Sequence, residues 1–191
     1  MDWFIADTHF GHEKMRARRG FASVREMDEA LIARWNARVR EEDEVFIAGD
    51  LICHSELPPA EYLRRLHGRK HLAVGNHDRV WMRGVALGEW FVEVALTLEV
   101  FRPGLCVTVC HYPMLDWYRR RHGACLVYGH IHDSRKEPYY DFLQTIPRAY
   151  NAGVDVNGLG PVTLEELAAN TAAWRARQAT ERQVTKGAWR Q

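Results

Sequence analysis

The chain has 191 residues, of which 47% are hydrophobic and 27% are charged, and this is the composition of one folded domain with a substantial core. Long disorder, a collagen-like repeat and a disulfide-stapled miniprotein are therefore excluded. Because 26 Lys and Arg balance 25 Asp and Glu to a net charge of +1, we expect neither an extended nucleic-acid clamp nor attraction to an anionic membrane.

The N-terminal residues and the cysteines indicate a reducing compartment. Asp2 is acidic and the apolar run at residues 3–6 is too short for a signal peptide, and no run approaches the roughly 20 apolar residues of a membrane helix. The four cysteines fit reduced thiols. Cys106 and Cys110 lack a second cysteine pair, which disfavours a zinc finger. We expect a cytoplasmic protein that does not bind membranes.

Strands and helices alternate in the first half of the sequence. Continuous apolar runs predict buried strands at residues 3–6, 45–48 and 72–74. An apolar stripe at helical spacing predicts a helix over residues 24–39, with Ser23 as N-cap and Glu26 completing a capping box. Pro58 and Pro59 open a second predicted helix, which runs to about residue 66.

Strands follow one another more directly in the second half. Residues 91–101 and 105–111 read as two strands joined by Pro103 and Gly104, which favour a hairpin. Two shorter strands are predicted at residues 125–128 and 149–154, and a final helix at residues 164–179. We therefore expect the α/β class, with a single domain over residues 1–182 and a flexible tail over residues 183–191.

Residue types that bind metals interrupt the apolar runs where the predicted strands end. Proteins with open α/β sheets bind small molecules and ions at the carboxyl ends of the strands, where side chains from several loops converge. One such histidine is more often a hydrogen-bonded loop residue than a ligand. The joint pattern is more specific, because five of the predicted strands end in such residues: Asp7 and His9; Asp50; Asn76, His77 and Asp78; His111; and His130 and His132.

These motifs, in this order, resemble those of the calcineurin-like metallophosphoesterase superfamily. The resemblance extends from Asp7 to the Gly-Val-Asp-Val segment that begins at Gly153. The segments at residues 7–12, 111–114 and 151–158 look like a small, single-domain bacterial and phage-type branch. The resemblance implies a four-layer α/β/β/α sandwich with the metal site at the carboxyl ends of the strands.

The resemblance also implies two divalent metal ions and assigns the residues that would bind each of them. Asp7, His9, Asp50 and His132 would bind the first ion, and Asp50, Asn76, His111 and His130 the second. A carboxylate such as Asp50 can bridge cations about 3.5–4 Å apart. The mixed nitrogen and oxygen set favours Mn²⁺, Fe or Zn²⁺ over Mg²⁺ or Ca²⁺, and the family commonly uses Mn²⁺.

The implied reaction is hydrolysis of a phosphate ester without a covalent enzyme intermediate. A hydroxide formed from water bound to the two ions attacks phosphorus in line. His77 contacts the phosphate and protonates the leaving oxygen, and Asp78 orients His77 and favours its charged form. Many relatives have Glu at the position of Asp78, and a helix N-cap before Arg79 is an equally weighted alternative for it.

The substrate class expected from these features is a small phosphodiester, such as a nucleotide or a similar ester. A phosphomonoesterase or protein phosphatase with the same metal core is the alternative. A non-catalytic scaffold is disfavoured, because every ligand position and His77 are intact. The sequence does not choose between diester and monoester.

Several residues outside these motifs have two interpretations. Basic residues at positions 16–19, 117–121 and 134–136, including Arg119 and Arg135, either hold phosphate at the rim of the site or are solvated. His12 either reaches the site or caps a loop. A turn before Gly158 is favoured for Asp155 over a supporting role at the site. Cys53 and His54 follow Asp50 closely, but proximity in sequence does not predict them as ligands.

Overall fold

Two four-stranded sheets form the centre of the molecule, in a computed structural model that describes the backbone of residues 1–188 and the side chains of residues 1–177. The first sheet is parallel and has the order β1 (Asp2–Ile5), β2 (Glu44–Ile47), β3 (Arg69–Ala73) and β4 (Phe91–Ala95). The second has the order β5 (Thr97–Arg102), β6 (Leu105–Cys110), β7 (Cys125–Tyr128) and β8 (Ala149–Asn151), with only the β5–β6 pair antiparallel.

The helices of the described chain lie between or after these strands. They are α1 (Glu13–Arg19), α2 (Val24–Asn36), α3 (Pro59–Leu63), α4 (Asp78–Trp81), α5 (Tyr140–Leu143) and α6 (Leu164–Ala188). Ser23 caps α2 as predicted, because its hydroxyl accepts a hydrogen bond from the Glu26 N–H at 3.1 Å. In the described part of the chain, no helix combines the length and the apolar character that crossing a membrane requires.

Successive residues of the strands enter different cores, which gives the expected four-layer α/β/β/α arrangement. In β1, Trp3 and Ile5 pack with α2 and α3 on the outer face, whereas Phe4 packs between the two sheets. A third core covers the other face of the second sheet, against α5. Because β1, β2 and β7 are buried on both faces, these strands read as continuous apolar runs, whereas β5 at the edge alternates between buried and exposed residues.

The structure corrects three of the predicted elements. The single strand expected over residues 91–101 is two strands in different sheets, and the chain changes sheet at the exposed Leu96. The strand expected over residues 149–154 ends at Asn151, because the following residues bridge to β1: Ala6 donates to the Ala152 carbonyl at 2.9 Å. Residues 13–19, for which no helix was predicted, form α1.

The last helix is longer than predicted. It was expected to end at residue 179, and α6 continues to Ala188. The flexible tail predicted over residues 183–191 therefore overlaps α6 as far as residue 188, and residues 189–191 lie outside the described residues. The predicted division into a domain and a tail stays a prediction.

Glycines before two of the predicted ligands let the loops after the strands approach closely. A side chain at Gly75, before Asn76, would collide with the carboxylate of Asp50. A Cβ at Gly129, before His130, would lie 2.9 Å from Oδ2 of Asp7. These close approaches bring the carboxyl ends of β2 with β3, and of β1 with β7, together at one edge.

Candidate metal centre

Strained backbone occurs at the predicted ligands. Asp7, His9, Asp50, His130 and His132 all have positive φ, between 50° and 73°, a region that residues other than glycine rarely adopt. Such strain persists only where the surrounding structure holds it. Here two backbone hydrogen bonds of 3.0 Å help, from Asp7 to the Gly49 carbonyl and from His9 to the Asp50 carbonyl.

The oxygen ligands predicted by the sequence come from the first sheet. Oδ2 of Asp50 lies 3.6 Å from Nε2 of His9 and 3.4 Å from Nε2 of His111, so one carboxylate oxygen faces both halves of the cluster. Burial raises the pKa of Asp50 and raises that of Asp7 to about 6. Two buried carboxyl groups at one site are stabilised as anions only by compensating positive charge.

The predicted imidazole ligands meet in two pairs. Nε2 of His9 lies 3.3 Å from Nε2 of His132, and Nδ1 of His130 lies 3.2 Å from Nε2 of His111. The second pair also surrounds the amide oxygen of Asn76, at 3.1 and 2.9 Å. Burial lowers the pKa of His9 to about 2 and also lowers the pKa of His130, which keeps both rings neutral.

This donor set fits divalent cations. All the predicted ligands lie in one cluster, with ring nitrogens and carboxylate oxygens directed at one another. Nδ1 of His9 is buried and has no hydrogen-bond partner among the described residues. Neutral imidazoles, carboxylates and an amide oxygen in this arrangement are typical of Mn²⁺, Fe or Zn²⁺ sites.

Hydrogen bonds behind two of the histidines fix which nitrogen faces the cluster. Nδ1–H of His111 donates to the Ala48 carbonyl at 2.9 Å, and Nδ1–H of His132 donates to Oδ2 of Asp155 at 2.6 Å. In both rings Nε2 is left as the acceptor. Such contacts orient metal-binding histidines and set their tautomer.

Asp155 contacts the candidate site through His132, whereas the sequence analysis favoured a simple turn at this residue. Its side chain is 8% exposed and forms an ion pair with Arg19, whose Nε donates to Oδ1 at 2.7 Å. Burial by itself would raise the pKa of Asp155, but the hydrogen bonds from His132 and Arg19 outweigh it and lower the pKa. The partners are far apart in sequence, so no local pattern indicated this contact.

The basic residues after the first motif do not form a free rim. Arg19 is buried, and besides Asp155 it donates to the carbonyl oxygens of Asp7 and Thr8, both at 2.7 Å. Arg16 pairs with Glu13, and Arg18 pairs with Asp133. Arg19 therefore braces the loop that carries the first ligands.

The other basic segments are also occupied by contacts within the protein. Trp117 is buried, with its indole N–H donating to the Ala124 carbonyl at 3.0 Å. Arg119 lines a cavity with Leu105 at the β5–β6 turn, which is the opposite end of the second sheet from the ligands. The guanidinium of Arg135 lies 5.4 Å from the centre of the Trp174 ring.

Asp78 holds the backbone at the centre of the site. Its fully buried carboxylate accepts hydrogen bonds of 2.8 to 2.9 Å from the N–H groups of Asp50, Leu51 and Gly75 and from the Trp81 indole. The described contacts of Asp78 do not include the His77 ring, which it was expected to orient. The alternative prediction, that Asp78 is the N-cap of a helix, is also wrong, because Asp78 is the first residue of α4 and His77 is the N-cap.

The neighbours of His77 instead include Cys53, His12 and His54. Nδ1 of His77 lies 3.3 Å from Sγ of Cys53. The rings of His12 and His54 both lie 6.2 Å from the ring of His77. His12 thus reaches the edge of the site, which was one of its two interpretations.

Of two cavities near the cluster, one borders it through His130, and the other lies beyond His12 and is lined by none of the predicted ligands. The cavity beyond His12 has a volume of about 960 Å³ and is lined by His12, His54, Tyr62 and residues of α1 and α2. The other has a volume of about 330 Å³, is mainly apolar and is lined by His130, Tyr112, Tyr139 and Phe142 among others. Groups bound at the cluster thus have room on the side of His12 and on the side of His130.

Comparisons with known proteins show which family the chain belongs to. The family model for calcineurin-like phosphoesterases matches residues 3–134. The chain is 29% identical to the uncharacterized protein MJ1445 of Methanocaldococcus jannaschii over 167 residues, which cover 85% of this chain and 86% of the relative. It is 35% identical to the Gene 66 protein of Mycobacterium phage L5 over 158 residues, which cover 68% of this chain and 76% of the relative.

A solved structure has the same fold. It belongs to the protein of unknown function AQ665 from Aquifex aeolicus, and the two chains superpose with a TM-score of 0.68 at 25% identity. The match covers 87% of this chain and 96% of the other.

Proposed function

Because the chain belongs to the calcineurin-like phosphoesterase family, and is thus a hydrolase of phosphoric esters, we propose that it cleaves a small phosphodiester with two bound divalent cations. The preferred substrate class is a nucleotide or a similar small ester. The mixed imidazole and oxygen donors suit Mn²⁺, Fe or Zn²⁺, and Mn²⁺ is preferred among them because the family commonly uses it.

The observation that supports a diester is the presence of a cavity on each of two sides of the cluster. A monoester has one organic group and needs one such space, whereas a diester has two. The larger cavity, at His12 and His54, offers polar and charged side chains, and the smaller one, at His130, offers aromatic ones. Exposed Tyr112 and Phe142 suit a planar leaving group such as a nucleobase.

Two overlapping ligand sets would hold the cations. Asp7, His9 and His132 would serve one ion, Asn76, His111 and His130 the other, and Asp50 both. When bound, the ions would acidify a water for attack on phosphorus and offset the charge on the phosphate oxygens.

The protein's own groups would then position the phosphate and supply a proton. The ring of His77 lies 5.3 Å from the ring of His9, so it borders the cluster while remaining part-exposed. We assign it contact with the phosphate and protonation of the leaving oxygen. Asp78 keeps a role in this assignment as a positioning residue, because it holds the backbone N–H of Asp50.

A comparison of two substrates tests the proposal. The purified protein is stripped with a chelator, Mn²⁺ is restored, and hydrolysis of bis(p-nitrophenyl) phosphate is compared with that of p-nitrophenyl phosphate. We expect metal-restored cleavage that favours the diester. A preference for the monoester would replace the diester by the phosphomonoesterase alternative, and no cleavage of either compound with metal bound would contradict the proposed substrate class.

Replacing His77 tests the proton transfer separately. His77→Ala should keep both ions and lose most activity on esters with poor leaving groups, since good ones need little protonation. Equal losses on good and poor leaving groups would contradict the role as an acid and favour a role in positioning the phosphate.

The free thiols at all four cysteines also favour a reducing compartment, and we place the enzyme in the cytoplasm.

A further inference from the structure

A second group of metal-binding side chains lies beside the candidate metal centre and is absent from its ligand set. It consists of Cys53 and three histidines: His12, His54 and His77. Donor atoms of Cys53, His54 and His77 all lie within 4.8 Å of one another, and donor atoms of Cys53, His12 and His9 do the same. Cys53 is common to both groups, so it lies at the middle of the cluster.

The spacing of these side chains fits one tetrahedral ion. With a zinc–sulfur distance of 2.3 Å and zinc–nitrogen distances near 2.0 Å, sulfur and nitrogen ligands of one ion lie about 3.5 Å apart. Sγ of Cys53 and Nδ1 of His77 are 3.3 Å apart. The thiol and the ring are thus already at the separation that a shared ion requires.

The histidine rings give an independent measure from the same molecule. The two ring pairs at the candidate metal centre, His9 with His132 and His111 with His130, each have centroids 5.0 Å apart. In the second group the centroids of His12 and His54 are 5.5 Å apart, and both lie 6.2 Å from that of His77. Small side-chain rotations would bring these three rings to the spacing of the first two pairs.

One of these rings also has an unused donor. Nδ1 of His12 is buried and has no hydrogen-bond partner among the described residues, although a buried polar nitrogen is normally paired. His54 has a φ of 51°, the same left-handed backbone as the predicted ligands Asp7, His9 and Asp50.

We propose that Cys53, His54, His77 and His12 form a third cation site, which takes a soft divalent ion such as Zn²⁺ and slows turnover. Thiolate with imidazole selects Zn²⁺ over Mn²⁺, whereas the first cluster, which has carboxylates and no sulfur, accepts Mn²⁺. An ion on the ring of His77 occupies a nitrogen of the group assigned to the leaving oxygen. Turnover of the Mn²⁺-loaded enzyme therefore falls when Zn²⁺ is added.

The binding of Co²⁺ to the Mn²⁺-loaded full chain tests the site without any substrate. Only a cysteine ligand gives a thiolate-to-cobalt charge-transfer band in the near ultraviolet, so Co²⁺ exchanging into the first cluster does not produce one. We expect the band in the native protein, its loss in Cys53→Ser, and at least about a tenfold weaker affinity in His54→Ala. The matched control Cys106→Ser, which changes a half-buried thiol of β6, should keep the band.

A measurement on the native chain covers the case in which a variant does not fold. Zinc X-ray absorption of the protein with three equivalents of Zn²⁺, enough to fill the two proposed positions of the first cluster as well, should include a sulfur ligand at about 2.3 Å. Absence of sulfur, survival of the band in Cys53→Ser, or unchanged affinity in His54→Ala would each overturn the third site. None of these readouts depends on hydrolysis, so failure of the proposed function would leave the result interpretable.

Discussion

The edges of the two sheets supply different chemistry to the metal centre. The first sheet carries all the predicted oxygen ligands, Asp7, Asp50 and Asn76, after β1, β2 and β3, and it also carries one predicted imidazole ligand, His9. The second sheet provides His111, His130 and His132, at the ends of β6 and β7, and these are all imidazoles. The negative charge that attracts a cation thus comes from the first sheet, while the second completes its coordination with neutral donors.

Neither edge is complete without the other, and hydrogen bonds join them. Both carboxylate oxygens of Asp7 accept from the N–H of His130, at 3.0 and 2.9 Å. In return His111 of the second sheet donates to the Ala48 carbonyl of the first. Replacing a carboxylate ligand of the first sheet should therefore remove negative charge and abolish most activity. Replacing a residue that only orients a histidine of the second sheet should weaken metal binding and have a smaller effect on activity.

Replacing the shared carboxylate should give the largest effect. Asp50→Asn removes negative charge that faces both ligand sets, so metal-dependent turnover should fall by at least about a hundredfold. The rate of turnover at saturating Mn²⁺ measures this loss. Asp43→Asn is the matched control: Asp43 is also a buried aspartate, but it lies at the amino end of β2 and pairs with the N-terminal ammonium, so its replacement should leave turnover unchanged. Near-normal activity in Asp50→Asn would refute the bridging assignment.

Replacing the carboxylate behind Asp50 tests how the first edge is held. In Asp78→Asn, either orientation of the amide turns its NH₂ toward two N–H donors, so we expect a loss of about 3 kcal/mol in the free energy of unfolding. Urea unfolding of the metal-free protein measures the loss. A stability equal to that of the native chain would show that the loop after β2 is held by other contacts.

Replacing Asp155 tests the second edge. Asp155→Asn keeps the shape of the side chain but weakens the hydrogen bond that orients His132, so metal affinity should fall about 10- to 100-fold while saturated turnover changes less. Competition with a chromophoric chelator gives the affinity. If affinity is unchanged, the ion pair of Asp155 with Arg19 serves the fold alone.

The smallest expected effect is a dependence of metal affinity on pH. Burial raises the pKa of Asp7 to about 6 in the metal-free chain, so the carboxyl group takes up a proton as pH falls through that value. A cation must displace this proton. Affinity should therefore be constant above about pH 7 and weaken toward about pH 5, with protons released on binding. Calorimetry in buffers of different ionisation enthalpy counts those protons, and none released near pH 6 would contradict the raised pKa.

The sequence predicts the parts of the fold that depend on neighbouring residues, and it does not predict those that depend on pairing between strands. Pro103 and Gly104 predicted the β5–β6 hairpin, which the structure confirms, with Arg102 paired to Leu105. The change of sheet at Leu96 was missed, because the apolar pattern of residues 91–101 is the same whether it fills one strand or two. The second half pairs with β6 through the adjacent hairpin, whereas the first half pairs with β3, which is distant in sequence, so local pattern does not show that the two halves belong to different sheets.

The sequence by itself determined the fold class and the family, and it predicted the ligand positions, because each candidate ligand follows a strand and parallel strands end at a common edge. Tertiary structure alone decided what surrounds those ligands. Asp155 meets His132 and Arg19, Asp78 turns to the backbone of Asp50, and His12 and Cys53 gather around His77, since loops from separate strands fold onto one edge. Such contacts depend on packing between distant segments, and no local spacing encodes them.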